Sequence, residues 1–314
     1  MGMLMTVRDI LWIGLFLSAG LITSVHRASG TERAASESAY RPRVAVQLYV
    51  WTQERRRREV NPIDDLDAIF AEARSAGFDL VEGMLDWFDS DEAAAHIAGL
   101  LVKHRLHMVG VYSNGFLHDE QKGGKTIQSI LERVERVKDC GLEFVNVNPD
   151  PLPEKAAKTT EQLATQTALL NQLGRRLSER GLKLLVHNHD AEIMHGAAEY
   201  RYQLAHLDPA VVGLCVDTHW IYRGGADPLA LLKDSGGLVR ALHVRNSVDG
   251  VWSESFGPGE VDYRPIADYL RQINFDGWLI LELALERKTT FTRPLKDNVR
   301  LGRLYLESAF LQGE

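Results

Sequence analysis

Short apolar, β-branched segments alternate with amphipathic segments eight times between residues 43 and 310. The predicted strands are 44–49, 80–84, 107–112, 144–148, 183–188, 211–216, 241–244 and 278–283. The predicted helices, which carry apolar residues at i, i+3 and i+4, are 63–75, 91–104, 126–139, 159–180, 195–206, 228–233, 263–273 and 295–310. Successive strands begin about 27 to 39 residues apart, as β-α units do. Apolar strands covered by helices predict a parallel sheet, and eight of them predict a closed barrel.

Glycines before the strands support the β-α repeat, and the first βα loop argues against an open, doubly wound sheet. Glycine ends the helical segment before four predicted strands, at Gly77, Gly141, Gly181 and Gly277, where a left-handed conformation suits a tight turn. An open sheet that binds nucleotides usually has a glycine-rich loop after its first strand, whereas residues 49–53 read YVWTQ. The sequence therefore predicts a single (β/α)₈ TIM barrel over residues 41–314.

Residues 1–40 do not share this pattern. Arg8 precedes an apolar run at 10–25, and a polar segment follows at 26–38. This arrangement is typical of a secretory signal peptide. Because no clear cleavage site follows, an uncleaved anchor that tethers the barrel to a membrane is an alternative, and so is a misassigned start codon before a cytoplasmic enzyme. We expect an exported, periplasmic or extracytoplasmic protein, with residues 1–40 as its signal peptide or membrane anchor plus linker.

The composition restricts the partners of this protein. The formal net charge is -7 and the isoelectric point is near 5.9, whereas a nucleic-acid surface needs clustered Lys and Arg to neutralise phosphates. We therefore expect no nucleic-acid partner. Cys140 and Cys215 are the two cysteines, too few for a cysteine-rich zinc site, and we expect both to be buried apolar residues rather than a disulfide.

Catalytic side chains of a (β/α)₈ barrel project from the carboxyl ends of its strands. In strand order, the polar and aromatic residues at these positions are Gln47, Tyr49, Trp51, Glu82, Asp86, Trp87, Tyr112, Asn114, Asn146, Asn148, Asp150, His187, His189, Asp190, Glu192, Asp217, His219, Trp220, His243, Arg245, Asn246 and Glu282. The last four strands each end in an imidazole or a carboxylate, ligands that suit Mn, Fe, Co, Zn or Mg. A single histidine at a strand end is more often structural, but four such ends in succession predict a divalent-metal site.

Five sequence motifs resemble those of a known family. Residues 185–192 read LVHNHDAE, 214–220 LCVDTHW, 242–246 LHVRN, 256–263 FGPGEVDY and 277–282 GWLILE. In this order and spacing they resemble the sugar phosphate isomerase/epimerase group of the xylose-isomerase-like TIM barrels. The resemblance covers residues 43–310 and implies a sugar substrate and a role in carbohydrate metabolism. The group contains epimerases, isomerases, dehydratases and endonucleases, so the resemblance leaves the reaction open.

The resemblance also implies the metal ligands. Asp217, His243 and Glu282 match the usual Asp-His-Glu ligands, and His187 stands where the epimerases have a glutamate. That change removes one of two carboxylates that would act on opposite faces of the sugar carbon. In the dehydratases of the group a histidine two residues beyond the strand-five ligand is the base, and His189 has that spacing.

The remaining candidates surround this cluster. Catalytic candidates are His189, Glu282 and Glu192, and substrate-binding candidates are Glu82, Trp51, Trp220 and Arg245. A histidine with a pKa near neutrality suits proton transfer, so we expect His189 to accept the proton. Either tryptophan can stack on a sugar face or cap the barrel core. The charged run ERRRRE at 54–59 is expected to be a solvated loop rather than a grip for an anionic substrate.

Three functions fit these residues. The leading one is a metal-dependent isomerase or epimerase that acts on a sugar or keto-sugar through an ene-diolate. The second is a lyase that dehydrates a keto-sugar with His189 as base. The third is a sugar-binding barrel without catalysis, which would bind sugar without exchanging its protons with solvent. A DNA-repair endonuclease is disfavoured by the acidic charge.

Overall fold

Eight parallel strands form a closed barrel in the computed structural model, which describes residues 40–137 and 140–312. The barrel strands are β1 (Arg43–Gln47), β2 (Leu80–Met84), β3 (His107–Gly115), β4 (Phe144–Pro149), β5 (Lys183–His187), β6 (Val212–Asp217), β7 (Val239–Val244) and β10 (Trp278–Leu281). A separate hairpin consists of β8 (Ser247–Val248) and β9 (Val251–Trp252). The barrel closes where Arg43 of β1 pairs with Trp278 of β10. The predicted (β/α)₈ TIM barrel is confirmed.

Helices connect the strands, most of them at the predicted places. They are α1 (Tyr49–Arg57), α2 (Leu66–Ser75), α3 (Asp91–His104), α4 (Glu120–Val137), α5 (Thr160–Ser178), α6 (Met194–His206), α7 (Thr218–Arg223), α8 (Pro228–Ser235), α9 (Arg264–Gln272) and α10 (Leu295–Leu306). Local capping explains why two of them begin where they do. The Ser90 side chain accepts a hydrogen bond from the Ala93 amide before α3, and Thr159 forms a capping box with Gln162 before α5.

Helix α1 was not predicted, because the charged run ERRRRE at its end is typical of a solvated loop. Its Arg55 is nevertheless buried and donates to the carboxylates of Glu54, Asp65 and Glu72 at 2.6–2.7 Å. Several good hydrogen bonds offset the cost of burying its charge. The expectation of a loop over residues 54–59 is therefore corrected: this run is largely helical and one of its arginines is held against α2.

Side-chain alternation along the strands divides the barrel interior into two layers. Successive residues of a strand face opposite sides, so inward positions recur every second residue. Leu185, Cys215, Ala241 and Ile280 lie within one buried apolar cluster, together with Ala45, Val109, Phe144 and Trp278. Two residues further along four of the strands come His187, Asp217, His243 and Glu282. An apolar floor therefore lies beneath a polar layer at the carboxyl ends of the strands.

The glycines before the strands act in two ways. Gly77, Gly141 and Gly181 have φ values of 98°, 84° and 75°, the left-handed conformation expected of them. Gly277 does not share it. A Cβ at Gly277 would collide with the carbonyl oxygen of Arg240, so there glycine permits two backbone segments to approach closely.

The expected signal peptide or anchor lies outside the described residues, apart from Tyr40. Among the residues that the structure describes, no helix combines the length and the apolar character that a membrane crossing requires. Cys140 and Cys215 are both buried, Cys215 within β6, in agreement with their expected role as core residues.

Candidate active site

A cavity of about 420 Å³ opens at the carboxyl ends of the barrel strands. Its lining is partly aromatic and partly polar: Gln47, Tyr49, Gln53, Met84, Tyr112, Asn114, Asn148, Asp150, Pro151, His189, Trp220, Arg245, Trp252, Glu282 and Ala284. Aromatic faces with a few convergent polar groups are the usual composition of a small-molecule site. Its position at the ends of the strands is where enzymes of this fold place their chemistry.

Four predicted metal ligands meet beside this cavity. His187, Asp217 and His243 lie at the ends of β5, β6 and β7, and Glu282 directly follows β10. One nitrogen or oxygen of each side chain lies within 4.8 Å of those of the other three, and all four residues are buried. We call these four residues the ligand cluster. Their closeness follows from the barrel, which brings the ends of neighbouring strands together.

His187 offers a nitrogen that lacks a hydrogen-bond partner. Its Nδ1 lies 3.3 Å from the side-chain oxygen of Asn148, while the buried Nε2 has no hydrogen bond. That Nε2 lies 3.6 Å from a carboxylate oxygen of Asp217 and 3.8 Å from one of Glu282. A second-sphere hydrogen bond to one nitrogen fixes the other as a lone-pair donor, as in many metal-bound histidines. The ligand cluster therefore fits a divalent ion at this point.

His243 lies between two carboxylates. Its Nδ1 is 2.6 Å from Glu282 Oε2 and its Nε2 is 2.8 Å from Glu82 Oε2. Burial opposes a charged ring, but the thiol of Cys215 and the two carboxylates outweigh it and raise the pKa of His243 well above 6.5. Glu82 is fully buried below the cavity and also accepts a bond from Asn146. Glu82 therefore supports His243, and the structure does not bring it to the cavity lining as a substrate-binding residue.

Arg245 covers the ligand cluster from the side of the cavity. It lines the cavity, and its Nη2 donates to Asp217 Oδ2 at 2.6 Å and its Nη1 to Glu282 Oε1 at 3.2 Å. Burial opposes ionisation of Glu282, but the charges of Arg245 and His243 outweigh it and hold its pKa well below 4.5. Glu282 is therefore a carboxylate at neutral pH, engaged by two cationic neighbours.

His189 lies in the cavity lining, one layer above His187. The two rings meet edge to face with centroids 5.0 Å apart, and Trp220 packs on His189 at 5.2 Å. Burial is the largest of the causes that lower the pKa of His189 to about 3, and the charge of Arg245 acts in the same direction. The expectation of a pKa near neutrality is therefore wrong. The ring is neutral across the physiological range and keeps a lone pair available to a substrate.

Glu192 lies behind His189 and not in the cavity lining. Its Oε2 accepts the backbone N–H of His189 at 2.7 Å, and its buried Oε1 has no hydrogen-bond partner. Burial, and then the charge of Glu199, raise the pKa of Glu192 to about 7. The structure thus places Glu192 outside the cavity lining, in contrast to the catalytic role predicted for it, and its carboxylate supports the loop that carries His189.

Replacing Glu192 by glutamine is expected to change the pH dependence of stability. Since its folded-state pKa of about 7 exceeds 4.5, the folded protein retains a proton that the unfolded chain releases between these values. The contribution of this carboxyl group to the free energy of unfolding is thus fully present below pH 4.5. It is lost as the pH rises through 7, by up to about 3 kcal/mol. Chemical unfolding at pH 5 and pH 8 should show this loss in the parent and not in Glu192→Gln.

The control for this experiment is Glu179→Gln, which changes an exposed glutamate at the end of α5. It should lose the same stability as the parent between the two pH values. An equal loss in Glu192→Gln would show that the Glu192 carboxyl does not titrate as described.

The two predicted stacking tryptophans lie in different places. Trp220 lines the cavity, whereas Trp51 is fully buried on α1 and donates its indole N–H to Glu72 at 2.9 Å. Trp51 is therefore part of the core and does not reach the cavity, which corrects its predicted role. Trp252 of the β8–β9 hairpin lines the cavity instead and was not predicted. The dipeptide Asp249-Gly250 at the turn, with φ values of 52° and 72°, is the sequence signal that indicates this hairpin.

Comparisons with known proteins agree with this geometry. A sequence model of the family described as xylose isomerase-like TIM barrel matches residues 70–308. An inosose dehydratase of Clostridium tetani is 24% identical over 174 residues, which cover 50% of this chain and 58% of that protein. The chain thus spans little more than half the length of the curated relatives it matches.

Solved structures show the same fold. A sugar phosphate isomerase/epimerase from Parabacteroides distasonis superposes with a TM-score of 0.68 at 16% identity, covering 90% of this chain and 99% of that chain. A D-allulose 3-epimerase from Methylomonas sp., in complex with D-allulose, superposes with a TM-score of 0.67 at 15% identity, covering 87% of this chain and 99% of that chain. The two solved structures are thus named an isomerase/epimerase and an epimerase, whereas the curated relative is named a dehydratase.

Proposed function

The chain belongs to the xylose isomerase-like TIM-barrel family, and on this premise we propose that it is a lyase that removes water from a keto-sugar or a related cyclic keto-polyol. The observation that carries the proposal is the imidazole of His189, which lines the cavity and packs edge to face on His187 of the ligand cluster. The name of the dehydratase relatives supports it. This is the second of the functions expected from the sequence, and the geometry favours it over epimerisation.

The number of bases in the cavity is the reason for this preference. Epimerisation needs one proton acceptor on each face of the reacting carbon, whereas elimination of water needs one acceptor. Glu282 also lines the cavity, but it accepts hydrogen bonds from Arg245 and His243, and its pKa is held well below 4.5. Glu192 and Glu82 lie outside the lining. His189 is therefore the acceptor whose lone pair is not committed elsewhere.

In the proposed reaction His189 removes a proton from the carbon next to the substrate carbonyl. The electron pair of that C–H bond first forms an enolate. The enolate then collapses to a carbon–carbon double bond and expels the hydroxyl group on the next carbon, which takes the proton from the His189 imidazolium and leaves as water. Arg245 lines the cavity, and in the proposed reaction its positive charge stabilises the negative charge that develops on the carbonyl oxygen. Trp220, Trp252 and Tyr49 provide the apolar faces against which the sugar ring packs.

A divalent metal fits the ligand cluster by its donor atoms. Two imidazole nitrogens and two carboxylate oxygens suit Mn, Fe, Co or Zn, and Mg less well. His187, Asp217, His243 and Glu282 would hold the ion, with the unpartnered Nε2 of His187 as one donor. When bound, such an ion supplies Lewis-acid polarisation of substrate oxygens.

Isomerisation or epimerisation is the second candidate, because Glu282 reaches the same cavity as His189. The two candidates differ in product mass. Purified protein is incubated in D₂O with Mn²⁺ and a panel of ketoses and inososes. We expect at least one of these substrates to give a product that has lost one water molecule. An isomer of unchanged composition would favour the second candidate. Sugar binding without mass change or deuterium exchange across the panel would favour a binding protein and contradict the lyase proposal.

A further inference from the structure

Arg245 is held on four sides within the site. It follows β7, is almost completely buried, and donates to Asp217 at 2.6 Å and to Glu282 at 3.2 Å. Its guanidinium also lies over the rings of Trp220 at 5.1 Å and Trp252 at 4.4 Å. Guanidinium groups are charged at all physiological pH values and stack well on aromatic rings. Arg245 is therefore a fixed positive charge and not a mobile surface residue.

The two carboxylates that Arg245 contacts are both members of the ligand cluster. In a metal site, buried carboxylates are neutralised by the ion, and in its absence they repel each other at high cost. Here the guanidinium of Arg245 already neutralises part of that charge, since it pairs with both carboxylates. A divalent ion would thus meet carboxylates that are already paired, next to a like charge.

We propose that Arg245 is an internal counter-cation that holds the metal-free site together and lowers its affinity for a divalent ion. This inference rests on the proposed metal site. Arg245 acts in two ways, because it shares the oxygen Asp217 Oδ2 with any ion and because its charge repels that ion across a few ångströms of buried space. The protein is then expected to stay folded without metal and to fill the site only when free metal is abundant.

The test replaces Arg245 by glutamine and measures Mn²⁺ binding by calorimetric titration after treatment with EDTA. We expect Arg245→Gln to bind Mn²⁺ about tenfold or more tightly than the parent, since a like charge and a competitor are removed. In EDTA the same variant should melt several degrees below the parent, because two buried carboxylates lose their counter-charge. Saturating Mn²⁺ should raise the melting temperature of the variant to that of the parent.

Arg223→Gln is the matched control. Arg223 also lies over the ring of Trp252, at 5.6 Å, and pairs with Glu286, but it has no contact with the ligand cluster among the described hydrogen bonds and ion pairs. It should bind Mn²⁺ as the parent does. If Arg245→Gln does not fold, Arg245→Lys replaces it. Its ammonium group can contact one carboxylate, so it should bind Mn²⁺ more tightly than the parent, by less than tenfold.

Each outcome separates this inference from the function. Equal or weaker Mn²⁺ binding by the Arg245 variants, with normal binding by the parent, overturns the inference and leaves the metal site standing. Absence of Mn²⁺ binding in the parent and in every variant overturns both the metal site and the inference drawn from it. The dehydration assay is independent of both results, because it follows the mass of the product.

Discussion

Asp217→Ala is expected to destabilise the protein by about 3–5 kcal/mol, the usual cost of removing one partner from a buried ion pair. Asp217 is fully buried, and its loss leaves the Arg245 guanidinium without its shorter contact. The same carboxylate caps α7, since its Oδ1 accepts the Trp220 amide at 2.8 Å. Metal content should fall with stability, because a ligand that binds the folded state alone stabilises it by mass action.

Asp217→Asn separates these contributions. Asparagine retains an oxygen that can cap α7, worth about 1 kcal/mol, but carries no charge for Arg245 or a metal. We therefore expect Asp217→Asn to be more stable than Asp217→Ala and equally poor in bound metal. Thermal unfolding in EDTA, together with metal analysis after dialysis against Mn²⁺, gives both quantities. Unchanged metal content in Asp217→Ala and in Glu282→Ala would refute the assignment of the ligands.

The ligand cluster could be found from the sequence because its positions obey two simple rules. Parallel strands of a barrel end at one rim, and inward side chains recur every second residue. These rules place His187 above Leu185 and Asp217 above Cys215 without knowledge of any distance. They also place His189 above His187, where the structure has it in the cavity lining. Both rules depend on local sequence, so one amino-acid sequence is sufficient to predict the ligand cluster.

The residues that were misplaced lie beyond the strand ends, where alternation no longer applies. Trp51 is four residues past Gln47, and the chain has already begun α1, which turns the indole towards Glu72. Glu192 is five residues past His187, in a loop that turns back behind His189. The direction of such side chains depends on turns and packing that no periodic pattern records.

The pKa of His189 could not be predicted for a different reason. This pKa depends on burial and on charges that other strands contribute. One of these charges belongs to Arg245, which is 56 residues away in sequence. The pairing of Arg245 with Asp217 and Glu282 is equally non-local. Sequence patterns predict which residues share a rim, but the ion pairs among them depend on distances within the folded barrel.

His189→Ala is expected to lower the rate of proton removal by about two or more orders of magnitude, the usual contribution of a positioned general base. The ring lines the cavity, where it packs on His187 and Trp220, while its backbone N–H, which donates to Glu192, remains in the variant. Fold and metal content should therefore be unchanged. Exchange of the substrate C–H with D₂O measures this step directly, whichever product forms afterwards.

Two further measurements distinguish a base from a residue that only positions the substrate. Added imidazole should restore part of the activity of His189→Ala, since a small base can enter the vacated space, whereas His96→Ala, an exposed change on α3, should behave as the parent. Because the pKa of His189 is lowered to about 3, its base form is present throughout the neutral range, and the acid limb that reports it should lie well below pH 6.5. Exchange at the parental rate in His189→Ala would show that another group takes the proton. Glu282 would then be the next base to test, because its carboxylate reaches the same cavity.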